Sequence, residues 1–265
     1  MITLDGKKPN ELGFMVLSGH SHPILPETVE NTLSIPGRHG QYYFNSHLNT
    51  RTFEIPCGIV QQKTWGDLQQ IVRGIASFFV DSYGKPREIK LQFDYEPDKF
   101  YYVRYTNSLP IERLVKLGKF TLALTAYDPF SYFLYQSDEI IMDSDIPVLS
   151  DIFWNTGSVN HLITHPQTIE FVNSGTLVIR PTFIIEGSAS SLTLTMNGKS
   201  LSLPSFSNTT YEINGENYMV RKSGVNDLKS MTGDFLELMP GFNQLSVSGT
   251  SLNFNLSVIY RFKYL

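Results

Sequence analysis

Four histidines are the first residues in this sequence that could do chemistry. His20 and His22 would share one face of a strand, and His39 or His47 could complete a metal site. A metal-binding histidine needs a neighbour that orients its ring, and the sequence indicates none here. The surrounding segment is also rich in proline. We therefore favour polar loop histidines over a metal site.

The acidic residues do not form a recognisable catalytic pattern. Asp94, Glu96 and Asp98 fall on a predicted turn, where solvated carboxylates are the common case. Acid pairs that hydrolyse sugars are defined by their distance in space, so a cell-wall-degrading enzyme stays open as the least favoured alternative. The dinucleotide-binding, P-loop, HExxH and GxSxG motifs are all missing. The sequence predicts no catalytic residues, no cofactor and no metal.

Aromatic residues make up 13% of the chain and could serve a binding surface. Five of them could stack on sugar rings: Tyr42, Tyr43, Tyr101, Tyr102 and Trp154. At this density, aromatic side chains more often belong to a core or a subunit interface. The polar and aromatic run QYYFNSHLNTR is typical of a projecting loop or arm. Because an aromatic cluster is costly to leave in water, Tyr42, Tyr43 and Phe44 are our subunit-interface candidates.

One helix should organise the elements that position these residues. Apolar side chains recur at the helical period through residues 64–80, TWGDLQQIVRGIASFFV, and form one wide stripe. Thr64 and Asp67 have the spacing of a capping box. The stripe needs a partner surface, and the nearby candidates are strands. We expect the helix to lie across a sheet, with Gly74 at a close approach to another backbone.

The remaining runs predict strands. Residues 1–20 read as a short hairpin and residues 21–50 as irregular, whereas residues 89–95 and 120–126 alternate cleanly. From residue 167 onward Ser, Thr and Asn dominate, and Asn-Gly pairs at 197–198 and 214–215 predict hairpins. We predict three parts: a sheet domain with one packed helix at 1–135, a connector at 136–160, and a β-sandwich at 161–265.

Charge and hydropathy argue against nucleic acid and membrane as partners. The net charge of −4 argues against nucleic acid, because phosphate binding needs clustered Lys and Arg. The sequence shows no signal-peptide core and no membrane-span length, so we expect a soluble protein made in the cytoplasm. Cys57 is the single cysteine and reads as a small buried apolar side chain.

The chain as a whole resembles the distal tail proteins of long-tailed siphophages. The matching pieces are LDGKKPNELGF, IPGRHG, FEIPCGI, WGDLQQIVRGIASFF and GKFTLALTAYDPF, followed by RPTFIIEG, TLTMNG, GDFLELMPGFN and the closing YRFKYL. Where the family often has an acid in IPG-R-DG, this chain has His39. The aspartate–proline–aromatic end of GKFTLALTAYDPF is the most recognisable piece.

The resemblance implies a mainly β protein that assembles rather than catalyses. It implies a homo-hexameric ring at the distal end of the tail tube, with a passage for the genome and galectin-like C-terminal domains pointing outward. The implied partners are the major tail tube protein and the tail-associated baseplate hub protein, with a receptor-binding protein or a host glycan as further candidates. The implied location is the virion tail tip. The alternative from another class is a carbohydrate-binding adhesion module that recognises host cell-wall glycans.

Overall fold

The computed structural model describes residues 1–114, 117–140 and 160–265, and the chain divides into two compact units. Unit 1 contains residues 1–131 with residue 265, and unit 2 contains residues 132–264. Each unit has its own cluster of buried apolar side chains. The predicted connector at 136–160 lies mostly outside the described residues.

Unit 1 is built on one antiparallel sheet. Its strands are β1 (Ile2–Leu4), β2 (Met15–Val16), β3 (Thr28–Leu33), β4 (Tyr42–Leu48), β5 (Arg51–Ile59), β6 (Ile89–Phe93), β7 (Glu96–Tyr105), β8 (Glu112–Leu114) and β9 (Leu117–Ala126). The sheet has the order β1-β6-β7-β9-β5-β2, with β8 added to β9. Strands β3 and β4 stand apart as a two-stranded sheet. A 3₁₀-helix spans Pro9–Leu12, and helix α1 spans Trp65–Phe79.

The predicted helix and its cap are confirmed. The Thr64 hydroxyl accepts from the Asp67 backbone N–H at 3.1 Å, and the Asp67 carboxylate accepts from the Thr64 N–H at 3.0 Å. Leu68, Ile75 and Phe79 belong to one buried cluster with the inward residues of the sheet. The expectation for Gly74 is wrong, because a side chain there would meet open space.

The predicted N-terminal hairpin is also wrong. Strand β1 pairs with β6, with Ile2 opposite Phe93, and β2 pairs with β5, with Val16 opposite Cys57. Both strands are too short to form a stable hairpin with each other, whereas each gains buried contacts at the sheet it joins. Residues 21–50 are not irregular either, since they contain strands β3 and β4.

Strand β10 (Ser131–Phe133) begins at the last residue of the main part of unit 1 and continues into unit 2. Unit 2 also contains β11 (Asn160–Ile163), β12 (Gln167–Asn173), β13 (Thr182–Ala189), β14 (Ser191–Met196), β15 (Lys199–Leu203), β16 (Phe206–Asn214), β17 (Met219–Lys222), β18 (Val225–Asn226), β19 (Thr232–Gly233), β20 (Gly241–Thr250), β21 (Asn253–Ile259) and β22 (Lys263–Tyr264). A 3₁₀-helix spans Leu228–Ser230. One sheet has the order β11-β21-β13-β16-β17-β18 and the other β12-β20-β14-β15-β19. One apolar cluster contains inward residues from both sheets, so unit 2 is a β-sandwich as predicted.

The Asn-Gly hairpins are confirmed with one difference. Asn197 and Gly198 join β14 to β15 directly and both have positive φ, +51° and +78°, as a type I′ turn requires. At Asn214 the hairpin forms, but the turn is longer because Asn214 pairs with Met219. The Asn214 side chain accepts from the Asn217 N–H at 2.9 Å, and this bond stabilises the wider loop.

Two further observations complete the fold. Cys57 is fully buried, as predicted, and burial raises the pKa of its thiol to about 12. Within the described ranges, no helix is long and apolar enough to cross a membrane.

Candidate assembly surface

The arm, defined as residues 28–48, is a β-hairpin that forms its own sheet. Strands β3 and β4 pair antiparallel from Thr28 opposite Leu48 to Leu33 opposite Tyr42. The register shifts between Asn31 and Thr32, which leaves Phe44 as the extra residue of a bulge. The sequence predicted a projecting loop or arm at β4, but it did not predict that β3 would pair with it.

The arm has no core of its own. Every side chain from residue 30 to residue 47 is exposed, and only Val29 and Leu48 are half-buried. A two-stranded hairpin is marginally stable by itself in water, so most natural hairpins rest against another surface. The described residues provide no such surface beneath the arm. This is the structural reason to expect a partner there.

The three candidate aromatics lie on β4 and face water. The exposed fractions of Tyr43 and Phe44 are 59% and 68%, and Tyr42 is also exposed. The Arg38 guanidinium lies 4.1 Å from the centroid of the Tyr42 ring, and the Tyr43 hydroxyl donates to Ser46 Oγ at 2.8 Å. These contacts order the side chains while leaving their apolar surface uncovered.

The base of the arm is firmly held. The Asn49 N–H donates to the Glu27 carbonyl at 2.7 Å and closes the hairpin. The next strand begins at Arg51, which is only 2% exposed. Its Nη1 donates to the Tyr101 hydroxyl at 2.7 Å and its Nη2 to the Ile24 carbonyl at 3.3 Å. Arg51 therefore joins the segment before the arm to the sheet after it.

Replacing Tyr101 by Phe should destabilise unit 1. The change removes the acceptor of a buried guanidinium, and a buried donor without a partner costs about 1–3 kcal/mol. Urea unfolding monitored by fluorescence measures the difference. Tyr83→Phe, at an exposed tyrosine, is the matched control and should leave the free energy of unfolding unchanged. An equal stability of the two variants would contradict this role for Arg51.

His22 lies in an aromatic cluster beside Arg51. Its ring stacks on Phe93 with centroids 4.8 Å apart, lies edge-on to Tyr101 at 5.8 Å, and its Nδ1 shares a hydrogen bond with the Tyr95 hydroxyl. Burial, followed by the positive charge of Arg51, lowers the pKa of His22, against a smaller opposing effect of Glu96. The neutral imidazole is therefore favoured in the folded protein.

The lowered pKa of His22 predicts a pH dependence of stability. Between its folded pKa and 6.5 the unfolded chain binds more protons, so the free energy of unfolding should fall as the pH drops through 6.5. The unfolding midpoint in urea, measured across this range, tests the sign. His22→Gln should lose this component and His39→Gln, in the exposed turn of the arm, should keep it. Identical pH profiles for the wild type and His22→Gln would contradict the assignment.

The histidine and acidic side chains that we considered for chemistry lie in different surroundings. In the described part of the chain, no group of three or more His, Cys, Asp or Glu side chains is placed to hold a metal. Among the three acids, Asp94 is exposed, Asp98 is buried, and Glu96 Oε1 lies 3.5 Å from Lys99 Nζ.

The candidate sugar-stacking residues separate. Tyr42 and Tyr43 lie on the arm, Tyr101 is buried in the core of unit 1, and Tyr102 is half-buried. Tyr101 is therefore wrong as a sugar platform. Trp154 lies outside the described residues.

Part of the chain matches a known protein family. Residues 10–126 match the family described as the phage tail protein RIFT-related domain. This segment, which is less than half of the chain, is therefore similar to a phage tail protein domain. The matched segment contains the arm, helix α1 and most of the sheet of unit 1. No curated protein sequence matches the chain.

Solved structures extend the likeness to both units of the chain. The Dit protein (gp 19.1) of phage SPP1, described as a paradigm of the hub adsorption apparatus in Gram-positive infecting phages, is similar with a TM-score of 0.70 and 17% identity. The match covers 100% of this chain and 98% of the other. The resemblance to the siphophage distal tail proteins is confirmed at the level of the fold.

Two baseplate structures of phage p2 in the activated conformation also match. The calcium form has a TM-score of 0.38 with 9% identity and covers 96% and 91% of the two chains. The strontium form has a TM-score of 0.41 with 8% identity and covers 93% and 90%.

Proposed function

We propose that this tail protein forms a homo-hexameric ring at the distal end of the tail tube and acts as the hub of the tail tip. The ring joins the major tail tube protein to the tail-associated baseplate hub protein and leaves a central passage for the genome. The proposal assigns no catalytic step and no cofactor. It rests on a phage tail family and on a fold shared with a protein described as a hub.

The observation that carries the assembly is the uncovered arm. An exposed two-stranded sheet with adjacent aromatic residues is costly in isolation, and a neighbouring copy of the chain can cover it. In a closed ring each subunit gives one surface and receives another, so all six arms would be covered equally. Tyr42, Tyr43 and Phe44 are the proposed contact residues. Interfaces are enriched in tyrosine and phenylalanine, which agrees with this assignment.

We assign one role to each of the predicted domains. Residues 1–135 build the ring, residues 136–160 connect, and residues 161–265 form the outward sandwich. The separate apolar clusters of units 1 and 2 support independent cores. A receptor-binding protein is the proposed further partner of the outward domain.

Labelling of whole virions tests the location. Antibodies raised against the chain and coupled to gold should decorate the tail end that is furthest from the head, as seen by electron microscopy. Antibodies against the major tail tube protein are the control and should label the shaft. Gold along the whole tail or on the capsid would contradict the proposal.

A further inference from the structure

A group of outward-facing side chains in unit 2 is uncommon for a surface in contact with water only. Residues 178–180 and 237–239 run antiparallel, because Ile179 and Leu238 exchange backbone hydrogen bonds of 3.1 and 2.9 Å. These two residues belong to the core, so the positions on either side of them point outward. Together with two adjacent side chains, these positions define what we name the tyrosine patch: Val178, Arg180, Lys199, Tyr218, Glu237 and Met239.

The charged centre of the tyrosine patch is firmly held. Arg180 Nε donates to Glu237 Oε1 at 2.9 Å, and Arg180 Nη2 lies 2.7 Å from the same oxygen. Lys199 Nζ lies 2.7 Å from Glu237 Oε2. The hydrogen bond from Lys199 is the largest effect that lowers the pKa of Glu237; burial opposes it and Arg180 adds to it. Since the carboxylate is ionised at neutral pH and two cations share it, the patch has one net positive charge.

Tyr218 lies against this charged centre in an unusual conformation. The Arg180 Cζ is 5.3 Å from the centroid of the Tyr218 ring, and Phe235 meets the same ring edge-on with centroids 5.3 Å apart. The exposed fraction of Tyr218 is nevertheless 53%. Its φ of +51° is left-handed, which is rare for residues other than Gly, Asn and Asp. Because backbone strain of this kind is concentrated at functional sites, the position needs a functional reason.

Apolar surface and unused donors border each other in the tyrosine patch. Val178 and Met239 are both exposed, and the register of the Ile179–Leu238 pair places them opposite each other. Within the residues that the structure describes, no hydrogen bond occupies Arg180 Nη1. A guanidinium that is fixed in place beside apolar side chains is preorganised to donate to an incoming acceptor while its surroundings make apolar contacts.

The composition of the tyrosine patch favours a protein partner. Protein interfaces are enriched in Tyr, Met and Arg, and the residues that contribute most to binding are frequently Tyr and Arg. Nucleic acid is disfavoured, because one net positive charge is not the cluster of Lys and Arg that phosphate binding needs. The sign of that charge also selects among proteins, since a basic partner surface would be repelled and an acidic one attracted.

We propose that the tyrosine patch is the docking site for a partner protein that presents an Asp or Glu side chain next to apolar residues. The partner's carboxylate accepts from Arg180 Nη1, and its apolar residues contact Tyr218, Val178 and Met239. This site rests on the outward role proposed for residues 161–265 and adds the location and the chemistry of the protein contact. It lies within one unit, so each protomer binds a partner separately.

Selection from a library of short random peptides, displayed on yeast and bound to the full wild-type chain, tests the site. The enriched peptides should contain an Asp or Glu beside apolar residues and bind with a Kd below about 100 µM in calorimetric titration. Arg180→Gln and Tyr218→Ser should each weaken that binding about tenfold or more, equivalent to about 1.4 kcal/mol, while Tyr218→Phe should bind as the wild type does. Changing the acidic residue of the peptide to its amide should weaken binding as Arg180→Gln does.

The matched control is Arg87→Gln in unit 1, which should bind the peptides as the wild type does. The exposed fraction of the Arg87 side chain is 39%, against 42% for Arg180. Arg87 also pairs with a carboxylate, that of Asp5, and its Cζ also lies over an aromatic ring, 5.0 Å from the centroid of Phe78. Phe78 is buried, however, whereas Tyr218 is exposed. The control therefore separates the tyrosine patch from a stacked arginine in general.

Circular dichroism checks the fold of each variant. If Arg180→Gln did not fold, Tyr218→Ser and Met239→Ser would carry the test. The proposal is overturned if no peptide is enriched, if the enriched peptides have no acidic residue, or if the folded variants bind as tightly as Arg87→Gln.

Particle mass separates this proposal from the ring. Arg180→Gln should leave the mass of the assembled chain unchanged. A fall to single copies would mean that the tyrosine patch contacts a second copy of the chain, and it would overturn the proposal. A wild-type chain that binds the peptides but never forms rings would contradict the ring alone.

Discussion

Replacing Tyr42, Tyr43 and Phe44 together by serine is expected to give a folded protomer that no longer assembles. All three side chains are exposed in the isolated chain, so the change removes no contact with the core of unit 1. It does remove the aromatic surface that we assign to the neighbouring subunit. Because truncation of central interface aromatics costs about 2 kcal/mol or more at each site, the combined loss should shift the equilibrium to monomers at micromolar concentration.

A control separates the arm from exposed aromatics in general. Tyr83→Ser combined with Tyr127→Ser changes two exposed tyrosines of unit 1 outside the arm and should leave assembly intact. Size-exclusion chromatography with light scattering reports both variants. Intact rings in the arm variant would rule out the arm as the subunit contact. Loss of rings in both variants would mean that the effect of the substitutions on assembly is not specific to the arm.

Phe79→Ala should produce the largest loss of stability. Phe79 is almost fully buried at the end of α1 and shares its cluster with inward residues of the sheet. Removing a buried phenylalanine leaves a cavity and costs about 3–5 kcal/mol. Scanning calorimetry should show the transition of residues 1–135 moving to a lower temperature. On the proposed domain division, the transition of residues 161–265 should not move.

The same helix provides the matched control for this cavity. Trp65 is a larger aromatic at the first turn of α1, but its exposed fraction is 53%. Trp65→Ala should therefore change the free energy of unfolding by no more than about 0.5 kcal/mol. Equal losses from the two changes would mean that α1 does not pack as described. A fall of both transitions with Phe79→Ala would contradict the independent domains.

Local patterns made part of this fold predictable. The period of Leu68, Ile75 and Phe79 and the cap at Thr64 are properties of adjacent residues, so the sequence alone determines α1. The Asn197-Gly198 turn is equally local, because few other residue pairs accept two positive φ angles. The alternation in β6 and β9 predicted strands for the same reason.

Long-range pairing was not predictable in the same way. Strand β1 has three residues, and nothing in them specifies a partner near residue 91 rather than residue 15. The choice depends on which pairing buries Ile2 and Leu4 against the sheet, which is a property of the whole unit. The buried contact of Arg51 with Tyr101 was missed for a related reason, since residues 50 positions apart reveal no spacing signal.

The arm and strand β20 depart from sequence patterns for opposite physical reasons. Strand β3 has no apolar alternation because both of its faces are exposed, so residues 28–33 read as irregular. Strand β20 does alternate, but Asn243 occupies an inward position and Phe242 an outward one. The hydrogen bonds of the buried Asn243 side chain explain this inversion. The sequence signal for this inversion was the polar Asn243, which lies between Phe242 and Leu245 in an otherwise alternating strand.

The mass of the assembled protein is a direct test of the hexameric ring. Mass photometry of the purified wild-type chain, over a range of concentrations and at low salt, counts the subunits of each particle. We expect a species of six copies of the 30.1 kDa chain, alone or as paired rings, that the arm variant converts to single copies. A wild-type protein that stays a single copy at every concentration would contradict the ring.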